Sequence, residues 1–185
     1  MPESDIDAGL GLSTSDGGLA ALSRAASFFM TATGQKSGKI NGGSKIKKHE
    51  GKIELLGIEQ RLVSPRDAAT GLPTGRRTHH PMQVAGKLDK SGPLLWGACS
   101  QNENLTTVKI EYWGGVSKQS GIGAGSGDAL IYTIELTNAQ VHEFRHFTAV
   151  DGTLCFAAGF TYQKIVITWK DGGITSQDDW LSVSS

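Results

Sequence analysis

The sequence predicts a mainly β protein, a sandwich or barrel with one short helix packed at an opening. Three observations point there. Apolar residues, 38% of the 185, cluster in short runs rich in β-branched and aromatic side chains. Glycine is abundant at 25 and proline scarce at 5, which favours turns and bulges between short strands over long helices. A single stretch, SGPLLWGACSQNE, carries helix-start signals. At this length one domain suffices. Residues 1–26, rich in Ser, Gly, Asp and Ala, are expected to form a flexible arm with at most a turn or two of helix in GLAALSRAA, and 27–185 the folded domain.

SFFMTAT, Ser27 to Thr33, is the first expected strand. GQKSGKINGGSKIKKHEG follows as a connection with little to bury. KIELLGIEQRLVS, Lys52 to Ser64, alternates through Ile53 and Leu55 and then slips near Gly57, as a bulged strand does. PRDAATGLPTGRRTHHP has turn formers and no periodicity, so it reads as a long loop. MQVAGKLDK returns to the sheet with Met82, Val84 and Leu88 inward. In the helix, Ser91 is the expected N-cap and Pro93 sits in the first turn. Leu94, Leu95 and Ala98 form the apolar face, and Trp96 shields one end. Three strand signals complete the chain: LTTVKIEYW, then ALIYTIELTNAQVHEFRHF bending near Asn138, then TLCFAAGFTYQKIVITWK, which DGG at 171–173 ends.

Charge narrows the function. Acidic and basic residues balance at 18 each, so no overall field draws in nucleic acid or an anionic membrane. Cys99 and Cys155 belong to no CxxC pair and read as buried thiols rather than a zinc site or disulfide framework. No run approaches the ~18 apolar residues of a membrane span. The N-terminus lacks the basic and apolar regions of a Sec-type signal, so the chain is expected to act in the cytoplasm or to leave by another route.

Reactive motifs are weak. GIGAGSG at 121–127 lies between strand-like segments, so it reads as a hairpin loop and not a dinucleotide-binding turn. GQKSGK is one residue short of a P-loop and lacks Ser or Thr after its Lys. His142 and His146 would share one face of a straight strand, and with a remote carboxylate they support an alternative, a metal-dependent β-barrel hydrolase. Their strand setting denies the helical spacing of a zincin. No GxSxG elbow occurs, and Asp178-Asp179 reads as a solvated turn. No cofactor is implied.

FFMTATGQKSGKINGGS, HEGKIELLGIEQRLVSP, TGLPTGRRTHHPMQVAGKLDKSGPLL and YQKIVITWKDGG…DDW, in that order, resemble the Hcp family, the tube protein of type VI secretion systems. The resemblance runs from about Phe28 to Trp180. It implies a β-barrel of two packed sheets with a short helix, six copies closing into a ring, and rings stacking into a hollow tube. Implied partners are further copies, a contractile sheath and baseplate, a VgrG-type spike and effectors in the lumen. Secretion without a cleaved signal peptide is also implied. The tail-tube proteins of phage-like contractile systems are a close variant. The first 26 residues and the glycine-rich loop depart from the pattern.

Within that reading, the polar loop before Pro81 is placed to meet a neighbouring copy or the next ring. Its expected contact residues are Arg66, Asp67, Thr70, Gly71, Thr74, Gly75, Arg76, Arg77, His79 and His80, the arginines because their planar fork holds a carboxylate in two bonds. Asp89, with Lys87, Lys90 and Ser91, is expected to seat the helix start or form a local salt bridge.

Overall fold

The computed structural model describes residues 26–115 and 128–180; most of the expected arm and the 121–127 loop lie outside the described residues. Along the chain run β1 (Ala26–Gly34), β2 (Gly38–Ile40), β3 (Ile53–Glu59), β4 (Leu62–Val63), β5 (Thr78–His79) and β6 (Met82–Lys87). A single α-helix among the described residues, α1 (Gly92–Ser100), precedes β7 (Asn104–Gly115), β8 (Asp128–Thr148), β9 (Leu154–Trp169) and β10 (Ile174–Asp179).

Six strands close a barrel in the order β9-β6-β3-β1-β7-β8, with β8 pairing back onto β9. Every pairing is antiparallel. Closure removes the open edges that would otherwise invite aggregation. β9 is long enough to serve two neighbours on one side, β6 through Cys155–Phe160 and β10 through Lys164–Trp169. β2 extends β1, and β4 with β5 forms a separate two-stranded ribbon. The mainly β barrel with one short helix is the architecture the sequence predicts.

Alternation fills the barrel. Met30 and Ala32 of β1, Ile53 and Leu55 of β3, and Met82 and Val84 of β6 all face the core, which Phe156 and Phe160 fill from β9. Full burial of each large side chain contributes about 1.5–3 kcal/mol. The expected slip in β3 is a register shift between Leu55 and Gly57. The expected bend in β8 sits at Asn138, whose φ is +49°. There the inward phase changes in two strands together, from Ile134 and Leu136 to Ala139 and Val141 on β8, and from Ile165 to Tyr162 and Phe160 on β9.

Helix α1 joins β6 to β7 and sends Leu95 and Ala98 into the core. Leu94 and Trp96 were expected inward and as a shield, but both are exposed, at 43% and 56%. Nine residues turn too few side chains toward the core to bury both faces. Ser91 adopts helical angles, and its side chain does not cap the helix. Asp89 does the work expected of Ser91: its Oδ1 accepts from the Ser91 N–H at 2.8 Å and from Ser91 Oγ at 2.5 Å, and its Oδ2 accepts from the Gly43 N–H. Neither Lys87 nor Lys90 forms an ion pair with it among the described residues.

The 34–52 connection buries more than its composition suggests. Ile40 and His49 are 1% and 2% exposed. The His49 ring stacks on Phe29 at 4.0 Å and meets Trp113 edge-on at 4.6 Å. Beside it Lys52 pairs with Glu111 at 2.5 Å. The would-be phosphate loop GQKSGK forms an anion nest filled by the chain's own Glu103, which accepts from Lys36 N and Ser37 N at 2.7 Å each and from Ser37 Oγ at 3.0 Å. The Ser37 and Lys36 backbone donors outweigh burial and hold the Glu103 carboxyl below its usual range.

Candidate assembly interface

The stretch between β3 and β6 is a braced arm. β4 and β5 pair through Leu62–His79 and Val63–Thr78, and Arg66 bridges to Pro73. Asp67 Oδ1 accepts from the N–H groups of Ala69 and Thr70 at 3.1 and 2.7 Å and from Thr70 Oγ1 at 2.8 Å. This is the local turn a short acid favours. Arg66 Nη1 donates to the Gly71 carbonyl at 3.1 Å, and Thr74 N donates to the Pro65 carbonyl at 3.1 Å. Gly71 turns the tip with φ +71°. A long loop without periodicity was expected here. Enough of its polar groups find partners within 65–74 to make it an ordered projection.

The arm's base is tied to the last strand. The Arg77 fork grips both carboxylate oxygens of Asp178 through Nε and Nη2, and Nη2 also donates to the Asp179 carbonyl at 3.1 Å. His79 Nε2 lies 2.7 Å from Asp178 Oδ2, and its Nδ1 lies 3.0 Å from Tyr162 Oη, which accepts from Gln60 Nε2 at 3.1 Å. With the ring protonated on Nε2 alone, Gln60 donates to Tyr162, Tyr162 to His79, and His79 to Asp178. The Arg77 hydrogen bonds, and after them that of His79, overcome burial and hold the Asp178 carboxyl down at about 2. Burial pushes the Tyr162 phenol up. Asp178 and Asp179 therefore belong to β10 and to this network, and the expected solvated turn is corrected.

Of the residues the sequence singled out, Arg77 and His79 turn inward, and Arg66 and Asp67 hold the arm's own shape. Thr70, Gly71, Thr74, Gly75 and Arg76 remain exposed at the projection, with Leu72 64% exposed among them. His80 lies at the rim of an open cleft of about 690 Å³, lined also by Asn104, Asn138, Gln140, Gln163 and Trp180. An amide ladder crosses its floor: Asn104 Nδ2 donates to Asn138 Oδ1 at 3.4 Å, and Asn138 Nδ2 to Gln163 Oε1 at 2.8 Å. Sequence reasoning missed Tyr162, Trp180 and the amides, because residues scattered along three strands carry no spacing signal.

The histidines of the hydrolase alternative do not share a face. A bulge between Val141 and Glu143 leaves His142 over Gly159, whereas His146 packs edge-on to Phe144 at 5.0 Å. No group of three His, Cys, Asp or Glu side chains converges among the described residues.

The closed β-barrel with its one short helix is shared with solved Hcp proteins. Hcp1 from E. coli EAEC 042 superposes with a TM-score of 0.73 at 25% identity over 83% of this chain and 98% of that one. The secreted protein Hcp3 from Pseudomonas aeruginosa gives 0.68 at 26% identity, covering 85% and 100%. The family described as "Type VI secretion system effector, Hcp" matches residues 29–169. A Pseudomonas aeruginosa relative, "Major exported protein", is 31% identical over 172 residues, 83% of this chain and 95% of its own. This chain belongs to the Hcp family.

Proposed function

We propose that the chain is a non-enzymatic subunit of a type VI secretion tube. In this reading it closes into homohexameric rings that stack, is exported with a VgrG-type spike by a contractile sheath and baseplate, and carries effectors in the lumen. Family membership and the name of the exported relative support secretion. One geometric observation carries the assembly reading. The chain uses its charged groups to brace a projection whose tip residue Leu72, and whose Arg76 close to the base, contact solvent. A rigid projection with apolar and cationic groups outward costs little entropy when it docks on another surface. β10, paired on one side only among the described residues, offers the open edge a heterologous ring interface needs.

Negative-stain images of the purified protein test this. The expected result is six-fold annuli with an open centre. A lone globule at every concentration tried would overturn the proposal.

A further inference from the structure

The turn Ser44–Gly51 on the outer face of β1 and β7 has no role in the barrel or the projection, yet it is fixed with unusual care. Ser44 N donates to the Lys52 carbonyl at 3.1 Å, Gly51 N to the Ser44 carbonyl at 2.9 Å, and His49 N to the Ile46 carbonyl at 2.8 Å. The buried His49 ring pins it between Phe29 and Trp113. Held outward are Lys45, Lys47 and Lys48, all exposed, around Ile46, itself 45% exposed. None of the three ammonium groups has a carboxylate within ion-pair distance among the described residues. Lys48 has a φ of +73°, where glycine would sit without strain.

The patch has neither arginine nor an exposed aromatic ring, so beyond the phosphate contacts of any lysine cluster it offers nothing to fork a phosphate or stack a base. One isoleucine is too little apolar surface for a membrane anchor. What it fits is a short polypeptide with carboxylates around one apolar side chain. The chain contains such a segment, Glu3-Ser4-Asp5-Ile6-Asp7, in a stretch of 25 residues whose one basic side chain is Arg24. That stretch joins the barrel beside the patch: Ser27 pairs with Trp113, and Trp113 packs on His49. Some twenty intervening residues can span roughly 60 Å, far more than the gap requires, and tethering keeps the local concentration in the millimolar range.

We propose that the basic turn Lys45–Lys48 is the docking site of the acidic segment Glu3–Asp7 of the same chain, with Ile6 set against Ile46. The contact does not depend on ring formation.

Zero-length carbodiimide cross-linking of the full chain, read by mass spectrometry, tests it. Cross-links should join Glu3, Asp5 or Asp7 to Lys45, Lys47 or Lys48 in a product that runs as a single chain, and 1 M salt should abolish them. In the Glu3→Gln, Asp5→Asn, Asp7→Asn variant, acetylation of those three lysines should quicken by about threefold, with exposed Lys87, Lys90 and Lys170 unchanged. Cross-links spread evenly over all exposed lysines, a product running as a dimer, or unchanged acetylation would each overturn the proposal. These readouts hold equally for a monomer and a ring, so failure of assembly would not be mistaken for failure of this contact.

Discussion

Arg77 and Asp178 stand 101 residues apart in sequence, yet the guanidinium closes a two-pronged grip on the carboxylate. That grip fastens the base of the projecting arm to β10, which pairs with β9 outside the six-stranded barrel. Asp178 takes a third bond from His79, so one carboxylate positions both the arm and the buried imidazole behind it.

Asp178→Asn should therefore destabilise the fold by about 1–3 kcal/mol, the range for losing charge-assisted hydrogen bonds at a partly buried site. Chemical denaturation followed by Trp fluorescence gives the number. Limited proteolysis should show earlier cleavage between Pro65 and Thr78. An unchanged midpoint with an equally resistant arm would remove Asp178 from its structural role.

The same carboxylate sets an acid limit. Its pKa is depressed to about 2 from an ordinary 3.8, so the unfolded chain binds the proton more readily than the folded one. Its contribution is complete above about pH 4 to 5 and is lost as pH falls toward 2. Glu103, held down by the Ser37 and Lys36 backbone donors, acts in the same direction. The melting temperature should fall across this window, and the Asp178→Asn variant should show a shallower fall.

Two glycines should respond in opposite ways to alanine. A Cβ on Gly86 would lie 2.7 Å from the Glu54 carbonyl oxygen and 2.8 Å from Phe156 Cε1, so Gly86→Ala should cost about 1–3 kcal/mol through overpacking. Gly97 lies inside α1 with open space beyond it, and Gly97→Ala should stabilise by about 0.5–1 kcal/mol. Denaturant midpoints of the two variants check both signs.

The assembly reading places its weight on the exposed residues of the arm. Deletion of Ala68–Gly75 should leave a folded monomer that forms fewer rings or stacks, as counted in micrographs. Arg76→Glu should weaken assembly more at low salt than at high salt, because screening already suppresses ionic contacts there. A salt-independent loss would mean Arg76 acts through packing, and full assembly of the deletion variant would exclude the arm from the interface.

The barrel's strands were legible in sequence wherever one face meets the core and the other meets solvent. β1 announced itself through aromatic and β-branched residues and β3 through alternation, and Gly57 and Asn138 marked where the strands slip and bend. Alternation fails where burial is not periodic. The 34–52 connection looked polar because its buried groups, Ile40, Ser44 and His49, are isolated among lysines and glycines. Ser91 has the composition of a cap, but Asp89, two residues earlier, takes the position because its carboxylate also reaches Gly43. The basic loop stood out in composition, yet that Arg77 turns inward while Arg76 stays exposed could not be read there.

Local pattern and motif order alone thus determined the mainly β class, the single short helix and the resemblance to Hcp proteins, since these depend on hydrophobic period and on residues close in sequence. Tertiary structure alone decided that Arg77 and His79 turn inward to Asp178, that Glu103 fills the glycine-rich nest, and that His142 and His146 part company at a bulge. Those outcomes depend on strand register and barrel closure, which join residues up to about a hundred positions apart and leave no mark on the spacing of either partner.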